Sequence, residues 1–217
     1  IAVACATNGA YGGTGQKCTA SSRLIVHEKV YKEFTEKLIE SISALKVGHA
    51  LEEGSQMGPV SSETQLQSNL DYIEMGKKEA KLAYGGNPMN MRTPGYYMEP
   101  TLFIDGDNKS TINQEEMFGP IACVIPVKSY EEGLEVANDT IFGLSSGIVT
   151  QSLSKAADFK KNIKTGVTTV NLPTAGLDYH VPFGGRKASS FGPREQGTYA
   201  HEFYTHVKTT YVSPGKI

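Results

Sequence analysis

For most of its length the sequence alternates short apolar runs with segments whose apolar residues recur at helical spacing, and this alternation sets the fold class. Arg23-Leu24-Ile25-Val26 reads as a buried strand, and Val30, Phe34, Leu38, Ile42 and Leu45 then mark about four turns of amphipathic helix. The stretch from Gly48 to Pro59 is loop. A second helix is predicted from Ser62, with Gln65 completing a capping box, through Leu66, Leu70 and Ile73 to Ala80, and Gly85-Gly86 ends it. Strands are expected at Thr101–Ile104, Ala122–Val127, Ser146–Thr150 and Gly166–Asn171. Between them lie helices opened by Ser129 with Glu132 and carried by Leu153, Ala156, Ala157 and Phe159. The pattern predicts an α/β fold: an open, mainly parallel sheet with flanking helices.

The two ends break this rhythm. The opening run to Tyr11 is helix-competent and stops at Gly12-Gly13-Thr14-Gly15. It begins at Ile1 with neither Met nor a basic leader, which is expected of a chain entered in mid-domain. From Pro182 to Pro193 the chain is rich in Gly, Ser and Pro. The tail from Glu202 to Val212 alternates Phe203, Thr205, Val207, Thr209 and Tyr211, a C-terminal strand expected to pair with another chain.

Composition narrows the function classes. With 217 residues, 39% hydrophobic and 20% charged, the chain can bury a core. Its 21 basic and 23 acidic residues balance to −2, which gives no electrostatic case for nucleic acid. No apolar run reaches the length of a membrane span. Three cysteines without a CxxC support neither a disulfide framework nor zinc, no metal-ligand spacing is seen, and a reducing cytoplasm is expected.

Cys18 is the leading candidate for chemistry. A thiolate is the strongest nucleophile among side chains near neutral pH, and Gly12, Gly13 and Gly15 allow backbone N–H groups to approach an oxyanion. The competing reading is an inert buried thiol, which Cys5 and Cys123 fit within their apolar runs. A hydrolase would need a histidine base, and of five histidines only His180 in its loop is a candidate. Glu115-Glu116-Met117-Phe118-Gly119-Pro120 puts carboxylates beside a flat ring on a turn. That suits ribose hydroxyls and a planar cofactor, or equally a helix-end charge pair with Phe118 in the core. The clusters Gly12–Gly15 and Gly184-Gly185-Arg186-Lys187 match no complete phosphate-binding motif.

Taken together, Gly15-Gln16-Lys17-Cys18-Thr19-Ala20, Met57-Gly58-Pro59, Glu115–Pro120, Asn171 with Pro182-Phe183-Gly184-Gly185, and Glu202–Lys208 resemble, in order and spacing, the NAD(P)-dependent aldehyde dehydrogenase superfamily. The resemblance covers essentially the whole chain. It implies that Cys18 is the nucleophile, forming a thiohemiacetal that loses hydride to NAD or NADP and leaves a thioester for water. It implies that the Cys18 N–H serves the oxyanion, that Glu116 holds the nicotinamide ribose, and that Phe118 lies beside the nicotinamide. Leu172, Pro173 and Phe183 are assigned to the aldehyde entrance. The tail strand is assigned to homodimer or homotetramer assembly. Residues 1–183 are then the cysteine-bearing catalytic domain and 184–217 a loop and oligomerisation arm. The cofactor domain, the general-base glutamate and the oxyanion asparagine are expected to lie outside this chain, so the isolated fragment is expected to be inactive. Asn171–Gly176 with Tyr179–Phe183 looks similar to the bacterial 2,5-dioxovalerate (α-ketoglutaric semialdehyde) dehydrogenase branch. That implies a small acidic aldehyde whose carboxylate is received by Arg186 or by an arginine outside this chain, Arg186 being equally open to a purely structural role. Two other classes stand beside this reading: a cysteine acyl-transferase or hydrolase without nicotinamide, and a non-catalytic assembly module built around the tail.

Overall fold

The strand with the most continuous apolar character occupies the middle of the sheet. A computed structural model describes residues 1–215; residues 216–217, the end of the expected arm, lie outside the described residues. Strand β6 (Ile121–Val127) is buried at every position except Pro126, as a strand covered on both faces must be. It pairs in parallel with β1 (Arg23–His27) on one side and with β5 (Thr101–Ile104) on the other. Pro126 falls beyond the stretch joined to β5, where its missing N–H costs no ladder bond. An antiparallel edge strand, β2 (Lys81–Tyr84), completes the order β1-β6-β5-β2.

Alternation along these strands feeds two cores. Ala122, Val124 and Leu102 pack with Leu24, Val26, Tyr11 and the fully buried Leu38 and Ile42 of helix α2 (Glu28–Ser43). Ile121, Cys123 and Phe103 pack instead with Ile73 of helix α3 (Glu63–Glu79), Ile112 and Met117. Tyr11 ends helix α1 (Ala2–Tyr11), and its hydroxyl donates to the Thr101 carbonyl at 3.1 Å.

The predicted α/β class and parallel sheet are present, with four differences in detail. Helix α3 stops at Glu79, and the segment before Gly85-Gly86 is the antiparallel strand β2 rather than more helix. A two-residue hairpin, β3 (Pro88–Met89) with β4 (Tyr97–Met98), lies in a stretch too short for periodicity to show. The strands β7 (Ser145–Ile148) and β8 (Val167–Val170) form a parallel pair of their own, connected by the helix Leu153–Asn162. In the tail, Glu202 belongs to a short helix, Ala200–Tyr204, and residues 205–215 join no ladder, so among the described residues the expected strand has no partner. An alternating segment needs a neighbouring strand to become a ladder, and none is offered here.

Candidate active site

Cys18 lies on the connection between α1 and β1. The chain reaches it through a 3-10 turn, Gly12–Gly15, in which Gly13, Thr14 and Gly15 all take left-handed φ values. At Gly15, with φ at +65°, a Cβ would collide with the Gly119 carbonyl, so glycine lets these two loops touch. A turn closed by the Ala20 N–H donating to the Lys17 carbonyl at 2.9 Å then carries Cys18 at its first corner. The thiol is exposed and free. Among the described residues the Cys18 N–H has no acceptor, so this donor is open to an incoming oxygen. The base of the turn is held firmly: the Ser21 N–H donates to the Gly9 carbonyl at 2.9 Å, and the Ser21 and Thr174 hydroxyls lie 2.7 Å apart.

The acidic motif follows helix α4 (Thr111–Gln114), where the backbone turns extended at Glu115. Met117 enters the core at 2% exposure, while Glu116 is exposed and Phe118 is 38% exposed. The two carboxylates differ in their surroundings. Glu115 accepts a 2.8 Å hydrogen bond from the Tyr72 hydroxyl. Glu116 has no hydrogen-bond or ion-pair partner among the described residues. Phe118 lies at the surface beside Glu116, and Met117 rather than Phe118 takes the core position. Gln65 Nε2 donates to the Met117 and Phe118 carbonyls, each at 3.1 Å, and fixes the turn from below.

Met57-Gly58-Pro59 meets the cysteine loop directly. Thr14 Oγ1 donates to the Gly58 carbonyl at 3.1 Å, and the Ser61 N–H donates to Gln16 Oε1 at 2.8 Å. Of the entrance residues, Leu172 is exposed and Pro173 half-buried, on a loop tied to the cysteine turn through Thr174. Asn171 takes φ +57° and uses both amide atoms on the Thr150 backbone, which makes it the clasp at the end of the β7–β8 pair. Phe183 is held by a two-bond bridge to Glu195, at 2.7 and 2.9 Å, with no hydrogen bond to the cysteine turn. His180 is exposed and stacks edge-on with Tyr179; no histidine is hydrogen-bonded to Cys18 among the described residues. Gly184–Lys187 is a structural clip. The Arg186 N–H donates to the Gly143 carbonyl at 2.8 Å, and Lys187 Nζ donates to the carbonyls of Asn138 and Thr140 at 2.6 and 3.0 Å. Burial pulls the Lys187 ammonium below the usual lysine range. Arg186 itself is exposed.

Four segments far apart in sequence therefore converge around an exposed thiol, and the sequence profile of the aldehyde dehydrogenase family matches residues 1–210. The chain belongs to the aldehyde dehydrogenase family. This aldehyde dehydrogenase chain is 43% identical over 209 residues to the alpha-ketoglutaric semialdehyde dehydrogenase of Bacillus subtilis, covering 95% of this chain and 43% of that protein. It is 46% identical over 210 residues to the alpha-ketoglutarate semialdehyde dehydrogenase of Haloferax volcanii, again covering 95% and 43%. The fold matches the NAD+ complex of an aldehyde dehydrogenase from Bacillus cereus with a TM-score of 0.91 at 36% identity, over 98% of this chain and 43% of that one. The chain thus spans less than half the length of the curated relatives it matches. Gln65, Asn69 and Tyr72, which support the Glu116 turn, were not singled out for this role from sequence. Their signal is a run of polar residues at positions 65, 69 and 72 on one face of an otherwise amphipathic helix.

Proposed function

We propose that the protein containing this chain is an NAD(P)+-dependent aldehyde dehydrogenase in which Cys18 is the nucleophile and Glu116 and Phe118 receive the nicotinamide ribose and ring. The observation that carries this reading is the contact of Gly15 with Gly119, which joins the turn bearing an open thiol and N–H to the turn bearing an unpartnered carboxylate and an exposed ring. That donor set fits the cofactor. A carboxylate whose lone pairs are free accepts two ribose hydroxyls, and a ring beside it packs on a planar heterocycle. When bound, NAD(P)+ supplies the hydride acceptor that takes the reaction to the acid level.

The chain's own contribution is to hold and stabilise the acyl carbon. The Cys18 thiolate adds to the aldehyde carbon, forming a C–S bond while the carbonyl π pair moves to oxygen. The Cys18 N–H donates to that oxyanion, a stabilisation worth about 2.7–4 kcal/mol for a single preorganised donor. Leu172 and Pro173 border the approach, and the thioester left on Cys18 after oxidation is released by water. We assign the substrate to small acidic semialdehydes such as 2,5-dioxovalerate, supported by the names of the two relatives above. We further assign residues 1–183 to the catalytic unit and 184–217 to a loop and oligomerisation arm of a homodimer or homotetramer, and the protein to the cytoplasm on its three free cysteines. No helix among the described residues is long and apolar enough to cross a membrane.

The test is the full-length protein with 2,5-dioxovalerate and NAD+ or NADP+, followed at the reduced nicotinamide absorbance. Cys18→Ala is expected to lower turnover at least a thousandfold, roughly; full turnover in that variant would remove Cys18 from the mechanism. The isolated 217-residue chain is expected to produce no reduced nicotinamide.

A further inference from the structure

The Glu116–Phe118 turn carries backbone strain that its own residues do not explain. Phe118 sits at φ +50°, a left-handed conformation that a bulky L-residue adopts only when its surroundings impose it. Those surroundings come from one helix turn of α3. The two Gln65 Nε2 hydrogens are shared among three acceptors: the Met117 and Phe118 carbonyls, which flank the Phe118 Cα, and Asn69 Oδ1 at 3.0 Å. Asn69 is fully buried, and its amide fills the space beneath Gly119, where a Cβ would overlap it. The same end of α3 is reached from the cysteine loop through Gln16 and the Ser61 N–H. One helix end therefore touches both halves of the proposed site.

We infer that Gln65 is a positioning residue: with Asn69 behind it, its amide locks the left-handed turn that presents Glu116 and Phe118, and so sets cofactor affinity rather than the reactivity of Cys18. The inference rests on the assignment of Glu116 and Phe118 to the cofactor. Its physical basis is that an unlocked turn relaxes out of the left-handed region. Glu116 and Phe118 then sample several orientations, and binding must select one of them.

The experiment uses the full-length enzyme with Gln65→Met, which keeps side-chain length and removes the donor, and with Gln65→Glu as a nearly isosteric second variant should the first fold poorly. Loss of two net hydrogen bonds is expected to raise KM for the nicotinamide cofactor about tenfold. The rate of Cys18 alkylation without cofactor is expected to stay within about twofold, because the cysteine turn keeps its own hydrogen bonds. A crystal structure of the cofactor-free variant is expected to show Phe118 outside the left-handed region. An unmoved turn, an unchanged cofactor KM or an equal loss of Cys18 reactivity would each overturn the proposal. A Glu116→Gln variant run in parallel separates the two claims. If it too leaves cofactor KM unchanged, the assignment of Glu116 is what fails.

Discussion

At the scale of single residues, three cysteines on one chain have three different fates. Cys123 is fully buried on β6, and burial pushes its thiol up to about 11 even though Asn113 Nδ2 lies 3.6 Å from the sulfur. Cys5 is half-buried on α1, and Cys18 is exposed on its turn. Iodoacetamide at pH 8 is therefore expected to modify Cys18 in the native full-length protein while Cys123 stays unmodified until denaturant is added. Peptide mass spectrometry reads the result, and early labelling of Cys123 would contradict its burial. Cys18 was legible in sequence because glycines and the motif around it mark a backbone that makes room for chemistry. The choice between Glu115 and Glu116 was not legible from the residues alone, since adjacent identical side chains carry no local difference. In the structure Tyr72, 43 positions from Glu115, engages that carboxylate, while Glu116 has no partner among the described residues. Phe118 shows the same limit: whether the ring faces the core or the surface depends on a left-handed φ imposed by Gln65.

At the scale of elements, the short helix α4 delivers the chain to the Glu116 turn, and Glu79 at the end of α3 anchors it. The Glu79 carboxylate accepts from the N–H groups of Thr111 and Ile112, both at 3.1 Å. Partial burial raises its pKa, but these hydrogen bonds outweigh that effect and leave it below the usual glutamate range. The sign follows: at neutral pH the native state favours the charged form, so the contribution is present above the unfolded value and is lost as pH falls through the depressed native value. Glu79→Gln is expected to destabilise the protein by about 1 kcal/mol at pH 7. The gap from wild type should close on acidification below about pH 4. Urea unfolding at both pH values measures this, and a gap that persists at low pH would rule out the carboxylate as its source. Elements like β6 and α2 were readable because each buries a face large enough to impose its period. The start of α3 was only half-readable. Ser62 caps it as expected, accepting from the Gln65 N–H at 3.1 Å, but the Gln65 side chain leaves the capping box for the Met117 and Phe118 carbonyls. A long-range pair of acceptors outcompeted the local one. The strand β2 and the β3–β4 hairpin were not readable, because two to four residues give periodicity too little to act on.

At the scale of the whole molecule, the tail is the part of the chain whose sequence and surroundings disagree most. Its residues alternate as a strand does, yet from position 205 to 215 every residue is exposed and none enters a ladder, with Val207 at 100% and Tyr211 at 94% exposure. A backbone whose donors and acceptors from 205 to 212 join no ladder, carrying β-branched and aromatic side chains at alternating positions, is matched to the edge of another sheet. In the proposed homo-oligomer a second copy of the same chain would satisfy this reciprocally, each tail given being answered by one received. Removing residues 205–217 from the full-length protein is therefore expected to lower its mass in solution by a whole-number factor, read by light scattering after size exclusion. Val207→Asp, which keeps the tail but places a charge on the face to be buried, is expected to weaken the assembly in the same direction. An assembly of unchanged mass in both variants would show that the tail is not what joins the copies, and that contacts elsewhere on the molecule hold them together.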